Sequence, residues 1–231
     1  IAEEVGAAQP KLRKALCDHA RNLGADYSAG RRVGRHVRAK RLKAIKKRLR
    51  RLTWLRKVGA KTSGVARASI TPAVTYAAGV TGLNNTDLLT LRRAIRRASC
   101  AHVAGRSLTV DLAALGKGVE PAVFVNVAPL EMWTRAIWEK WVPIHKIVTV
   151  WAAAHREVLG PKGASWRMVK GPGGATMATM HRIGWKPVCM KTINQAVPLL
   201  WETQRGVINI SETCPKSIAK LAARATTDTL W

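Results

Sequence analysis

Apolar residues recur at helical spacing between residues 35 and 58, and they predict the longest element of the chain. The pattern consists of five residues three or four positions apart: Leu42, Ile45, Leu49, Leu52 and Leu55. This spacing places them on one face of an α-helix. Because neither proline nor glycine interrupts the run from Arg35 to Val58, we expect one helix of about 33 Å, given the rise of an α-helix per residue.

A second amphipathic helix is predicted after residue 84. The sequence Asn84-Asn85-Thr86-Asp87 supplies capping side chains and an acid for the first turn. Four apolar residues follow at helical spacing and are expected to point inward: Leu88, Leu91, Ile95 and Ala98. Four arginines are expected to point outward: Arg92, Arg93, Arg96 and Arg97. We expect the helix to end before Gly105.

Prolines and glycines mark the remaining helices. Helices are predicted over four ranges: residues 61–69, 107–116, 144–158 and Ala175–Ile183. Three more helices are predicted to begin at a proline: Pro121, Pro129 and Pro215. Residues 3–22 also have a helical pattern. Residues 23–30 suggest a short strand and turn, residues 160–174 a loop, and residues 185–201 irregular or strand-like structure.

These patterns predict a mainly α fold with minor irregular or β elements. We expect amphipathic cationic helices over residues 31–105 and a tryptophan-rich helical domain over residues 106–231. The tryptophans of the second domain fall at helical spacing, which favours a core rather than a base-stacking surface. We therefore predict that Trp138, Trp141 and Trp151 are buried.

Charge changes this picture more than any other property. Fourteen lysines and arginines lie between residues 31 and 57, and no acid occurs from Tyr27 to Thr86. The whole chain has a formal net charge of +27. Because like charges on a helix repel one another, such a surface indicates a polyanionic partner, either nucleic acid or an anionic membrane surface. The candidate binding residues are Arg38, Lys43, Lys46, Lys47, Arg50, Arg51, Arg92, Arg93, Arg96 and Arg97.

Residues for catalysis or metal binding are sparse. The chain has thirteen acids, with Glu3-Glu4 as its one adjacent pair, so we expect no carboxylate cluster for Mg²⁺. Its four cysteines are too widely spaced for a zinc motif and are expected to be buried free thiols. We therefore expect no cofactor, no metal, no small-molecule substrate and no catalysis from this chain alone. No run of eighteen apolar residues and no signal peptide is seen, which predicts an intracellular chain, nuclear or cytoplasmic, without a membrane span.

Several motifs, in order, resemble those of a known family. They are Leu23-Gly24-Ala25-Asp26, the basic helix, the stretch from Ile70 to Gly79 with Pro72 and Tyr76, the Leu89–Ala94 helix, Trp138, Gly171-Pro172 and Ile183-Gly184-Trp185. Together they resemble the thumb and connection region of non-LTR (LINE-type) retrotransposon reverse transcriptases. The chain departs from the family's Pro-x-x-x-Tyr-Gly stretch at Ala77, where glycine is usual. The catalytic aspartates of that family precede this region, so no catalytic residue is carried over.

The resemblance implies a parent RNA-directed DNA polymerase whose thumb, over residues 31–105, grips the template–primer duplex. It also implies that residues 1–30 are a remnant of the preceding domain and that residues 106–231 form the connection domain. The expected partner is RNA, DNA or an RNA–DNA hybrid. The alternative is a freestanding basic structural protein of ribosomal or chromatin type. A third possibility, a helix lying on a membrane surface, would place bulky aromatics on the apolar face, whereas residues 35–57 contain only Trp54.

Overall fold

The predicted helical fold class is confirmed. A computed structural model describes residues 19–22, 25–28, 36–100, 105–116, 118–160, 163–190 and 195–230. Within these ranges the fold is mainly α-helical, with short antiparallel strands. Most of the helix predicted over residues 3–22 lies outside the described residues, and at residues 19–22 the prediction is wrong, because this segment pairs with residues 25–28 as a strand.

The first half of the chain begins with a hairpin and continues in helices. In order, the elements are β1 (His19–Asn22), β2 (Ala25–Ser28), α1 (His36–Lys57), α2 (Ser63–Val65), a π-helical turn (Ala66–Ile70), α3 (Thr71–Thr75), α4 (Ala78–Thr81), α5 (Asn85–Ser99) and α6 (Leu108–Ala114). The long helix and the helix after Asn84 are confirmed. The Asn84 side chain accepts the backbone N–H of Asp87 at 2.7 Å, as a helix cap does.

The second half combines longer helices with a small sheet. Its elements are α7 (Pro121–Trp138), α8 (Ile144–Val158), β3 (Leu159–Gly160), β4 (Gly163–Ala164), α9 (Pro172–Arg182), β5 (Lys186–Met190), β6 (Gln195–Thr203), β7 (Gly206–Asn209) and α10 (Pro215–Leu230). Strand β6 lies between β5 and β7, and both pairings are antiparallel. The predicted loop at 160–174 therefore contains a two-residue hairpin pairing, and α9 begins at Pro172, before the predicted start at Ala175.

Pro129 does not begin a helix, contrary to prediction. It lies buried inside α7, which runs on without a break to Trp138. Proline at this position removes one backbone donor of the helix. The carbonyl of Pro129 nevertheless accepts a hydrogen bond from the Thr176 hydroxyl at 3.1 Å, so packing against α9 holds this part of the helix in place.

Two hydrophobic clusters form the core. The first contains Ile45, Leu49 and Leu52 of α1 together with the apolar face of α5, and it ends on α7 at Ala122 and Val125. The second starts farther along α7, at Leu130 and Trp133, and includes α8, α9, the sheet and α10. Helix α7 therefore belongs to both clusters. The predicted division into residues 31–105 and 106–231 stays a prediction.

A stack of tryptophans occupies the second cluster. Trp151 lies between Trp133 and Trp201, with ring centroids 5.3 and 6.1 Å apart, and Trp185 contacts the other side of Trp201. The prediction that Trp151 is buried is confirmed. For Trp138 and Trp141 it is wrong, since they are 47% and 54% exposed. Helix α7 ends at Trp138, so both lie around the exposed connection to α8.

Arg182 connects the two halves at the end of α9. Its guanidinium donates to the Asn85 and Asn126 side-chain oxygens at 2.8 and 2.9 Å and to the Leu83 carbonyl, and it covers the Trp166 ring at 4.1 Å. Burial lowers the pKa of Arg182 to about 10, which still leaves it charged at neutral pH. Gly82 is required beside this group because its φ is +59° and an added Cβ would lie 2.4 Å from Trp166.

Candidate nucleic-acid interface

Helix α1 separates apolar from cationic side chains, and its solvent side is the first part of the candidate site. Ile45, Leu49 and Leu52 are buried against the first cluster. Leu42 is half-buried, whereas Leu55 is exposed, so the predicted apolar face ends one turn early. Several cations of α1 are exposed, and we call five of them, all predicted binding residues, the basic face: Lys43, Lys46, Lys47, Arg50 and Arg51.

The basic face contains no compensating acid. Helix α1 has no acidic residue in its sequence, and within the described ranges none of the five cations forms an ion pair. Five like charges on about three turns of one helix raise the local potential and attract counterions. Arg38 belongs to the same helix, but its side chain lies outside the described part of the structure.

One exposed aromatic residue interrupts the cations of α1. Trp54 is 63% exposed, and it follows Arg50 and Arg51 by one turn of the helix. Val58, one turn farther, is exposed as well. The basic face therefore continues into a small apolar patch at the end of α1.

The arginines of α5 do not all face solvent as predicted. Arg93 and Arg97 are exposed, as expected. Arg92 is buried, and the prediction that it points outward is wrong: its Nε donates to Glu120 at 2.9 Å, and its Nη2 donates to the Thr109 hydroxyl. The reason lies in the helical spacing, because position 92 follows Leu88 by four residues and shares its buried side.

Arg96 takes an intermediate position in α5. Its Nε lies 2.5 Å from Oδ2 of Asp111, an acid that is buried on α6, and the exposed Arg106 approaches the same carboxylate at 3.7 Å. The sequence pattern predicts that Arg96 points outward, whereas in the structure its side chain is half-buried. Its charge is balanced by Asp111, so it contributes less to an anion site than Arg93 or Arg97.

Helices α1 and α5 pack together and leave a groove between their last turns. We call it the interhelical groove. It has a volume of about 590 Å³ and is lined by Thr53, Arg56 and Lys57 of α1 and by Arg93, Arg96, Arg97 and Cys100 at the end of α5. The sequence places Arg56 and Lys57 in the basic run, but only the packing of the two helices brings them next to the α5 arginines.

The thiol in this groove stays protonated at neutral pH. Burial, and then the negative charge of Asp111, raise the pKa of Cys100 above its ordinary value. Cys100 is half-buried and Cys214 is exposed, so the expectation of buried thiols fails for Cys214. Cys17 and the side chain of Cys189 lie outside the described part of the structure.

Other kinds of site are not seen in the described part of the chain. There, no group of three or more His, Cys, Asp or Glu side chains is placed to hold a metal ion. A membrane-crossing helix is likewise not found among the described segments, all of which are too short or too polar.

Comparison with known proteins adds no relative. No protein-family model matches the chain, and no curated protein and no solved structure shows significant similarity to it.

Proposed function

We propose that this chain is a non-catalytic, nucleic-acid-binding part of a reverse transcriptase of the non-LTR retrotransposon type. The observation that carries the nucleic-acid proposal is the basic face, with five exposed cations and no acid opposite a buried apolar side. A folded surface of this kind gains most from a partner that supplies a regular row of negative charges. The phosphate backbone of a nucleic acid is such a partner.

The expected mode of binding follows from the residue types. Lysine and arginine side chains on the outside of a helix contact phosphates, which fix position but carry no sequence information. Trp54 adds an exposed ring near these cations, a combination that suits contacts to unpaired bases. We therefore expect similar affinity for unrelated sequences and a strong dependence on salt.

A membrane surface is a poorer partner for α1. Amphipathic helices bind lipid through their apolar side. In α1 that side is buried, with Ile45, Leu49 and Leu52 packed into the first cluster. The cationic side could attract anionic headgroups, but the exposed large apolar side chains described along α1 and its end are few: Trp54, Leu55 and Val58.

The backbone at Ala77 supports the family proposal. Ala77 has φ +65° and ψ 1°, the left-handed conformation that favours glycine. This is the position at which the family resemblance has glycine after tyrosine. Arg41 of the basic helix donates to the Tyr76 carbonyl at 3.0 Å and stacks on its ring, so the two resembling segments are in contact.

Binding assays and the flanking reading frame test the two parts of the proposal. We expect mobility shifts with duplex DNA, duplex RNA and the RNA–DNA hybrid, and affinities within about threefold for two unrelated sequences of the same length and type. Absence of a shift at low salt, or a strong preference for one sequence, would contradict the binding mode. A Tyr-x-Asp-Asp motif upstream in the same reading frame would support the family, and an unrelated upstream domain would refute it.

A further inference from the structure

The interhelical groove concentrates cations that have no acid to balance them. Four of its basic side chains, Arg56, Lys57, Arg93 and Arg97, form no ion pair among the described residues. They belong to two helices, so their proximity is fixed by the packing of α1 on α5 and not by sequence spacing alone. Converging like charges on a rigid frame cost free energy unless an anion is bound between them.

Arg56 adds an observation that charge alone does not explain. Its Nε is buried and has no hydrogen-bond partner among the described residues. An unsatisfied buried donor is uncommon and costs about 1–3 kcal/mol, more for a charged group. The side chains on the far side of the groove, Arg93 and Arg97, are donors too, so none of them can accept this hydrogen.

The remaining lining residues do not supply the missing negative charge. Asp111 lies behind Arg96 and already accepts from it at 2.5 Å. Cys100 points its thiol toward the backbone carbonyl of Asp111, with Sγ and O 3.7 Å apart, and it is neutral at physiological pH. A ligand of the groove therefore has to bring its own negative charge and its own acceptor atoms.

We propose that the interhelical groove is a binding site for a phosphate group, held between Arg56 and Lys57 on one side and Arg93 and Arg97 on the other. A phosphate offers several acceptor oxygens, which suits guanidinium groups arriving from two directions. The volume of about 590 Å³ leaves room for the sugar and base attached to it. This inference rests on the proposed function as far as the source of the phosphate is a nucleic acid.

The position of the groove fits a strand that follows α1. Lys46 and Arg50 are four residues apart, and Lys57 lies seven residues beyond Arg50, so the three share one side of the helix. A backbone that contacts the basic face along this line reaches the groove at the end of α1. The phosphate could be an internal phosphodiester of that strand or a free or terminal phosphate, and both have the chemistry that the groove recognises.

Inorganic phosphate is the first probe. Thermal unfolding is followed in increasing phosphate at pH 7.5, with sodium chloride adjusted to keep ionic strength constant. We expect saturating phosphate to raise the melting temperature by about 3 °C or more in the unmodified chain. The double variant Arg93→Gln/Arg97→Gln should lose this shift. Both side chains are exposed, so the variant is expected to fold, which circular dichroism verifies.

A matched control removes the same charge elsewhere. Lys216 and Lys220 are exposed on α10 and do not line the groove. Lys216→Gln/Lys220→Gln should keep the full phosphate shift. If both double variants lost the melting-temperature shift equally, phosphate would be acting through net charge. If the unmodified chain showed no shift, the groove would not bind phosphate. Either result would overturn the proposal.

Oligonucleotides distinguish the source of the phosphate. Binding of decathymidylate with and without a 5′-phosphate is measured at several salt concentrations. If an internal phosphodiester occupies the groove, the 5′-phosphate should not change the affinity. Arg93→Gln/Arg97→Gln should then flatten the slope of log K against log salt by about 1.4 units, at ~0.7 per lost contact. If a terminal phosphate is bound, the 5′-phosphate tightens binding severalfold, and only in chains with an intact groove.

The same experiments separate this inference from the proposed function. A phosphate shift that depends on Arg93 and Arg97, in a chain that binds neither decathymidylate nor any of the duplexes, would leave the groove as an anion site and refute the nucleic-acid proposal. Oligonucleotide binding that keeps its full slope in the groove variant, without any phosphate shift, would refute the groove and leave the basic face intact.

Discussion

At the scale of single residues, Ala77 holds a backbone conformation that disfavours its own side chain. Its φ of +65° brings Cβ close to the backbone. Ala77→Gly should therefore raise the free energy of unfolding by about 1 kcal/mol, as measured by urea denaturation. The control is Ala44→Gly in the middle of α1, which should lower it by about the same amount. A destabilising Ala77→Gly would show that this turn is not left-handed.

Arg92 and Arg93 are neighbours in sequence with opposite environments. Removing the charge of Arg92 leaves the partly buried Glu120 carboxylate without its partner. Arg92→Gln should therefore lower the free energy of unfolding by about 3 kcal/mol. This is the lower end of the cost of breaking a buried ion pair, because both side chains keep some exposure. Arg93→Gln on the exposed side should change stability by less than about 0.5 kcal/mol. Chemical denaturation of both variants measures the contrast. Equal effects would contradict the buried Arg92–Glu120 pair.

Trp151 and Trp138 also differ in burial. Trp151 lies fully buried between two other indoles, so Trp151→Ala should cost about 3–5 kcal/mol. Trp138, which the sequence pattern assigns to the core, is half exposed, and Trp138→Ala should cost less than about 1 kcal/mol. Acrylamide should readily quench the part of the fluorescence that Trp138→Phe removes from the otherwise unmodified chain, since the ring is 47% exposed. A shielded Trp138 would restore the sequence-based prediction.

At the scale of elements, α1 depends on one narrow apolar side. Leu49→Ala removes a buried side chain from the first cluster and should destabilise the chain by about 2–5 kcal/mol. Leu55→Ala is the matched control on the same helix, since Leu55 is exposed and should contribute less than about 1 kcal/mol. Thermal or urea unfolding distinguishes them. A large effect of Leu55 would mean that the apolar side extends to the end of α1.

The sequence was sufficient for elements whose signals are local. Helix α5 follows from the Asn84 cap and its apolar spacing, and α10 follows from Pro215. It was insufficient where distant residues decide the outcome. Helical spacing puts position 92 on the buried side of α5, but the acid that makes a buried arginine tolerable there, Glu120, lies twenty-eight positions away. Packing against α9 likewise carries α7 through Pro129.

The candidate site shows the same limit. The run of cations and the repeating leucines identify the basic face of α1 without a structure. The interhelical groove depends on how α1 packs against α5, because Arg56 and Arg93 come together only through that contact. No local pattern encodes the angle between two helices, so the groove could not be predicted from sequence.

At the scale of the whole molecule, positive charge is concentrated on α1 and α5, whereas the second cluster holds the tryptophan stack. The net charge of +27 would attract any polyanion weakly from all sides. The proposal is narrower: affinity arises from the basic face, as a set of individual phosphate contacts. This difference can be measured, because each contact adds a fixed increment to the salt dependence of binding.

The most direct measurement is a salt titration of duplex binding by fluorescence anisotropy, on two unrelated sequences. With about five phosphate contacts, log K should fall with log salt at a slope of roughly −4 to −5. Lys46→Gln/Lys47→Gln/Arg50→Gln should flatten this slope by about 2 to 3 units on both sequences while folding stays intact. The same slope in the triple variant and the unmodified chain would contradict the central claim that the basic face of α1 binds nucleic acid.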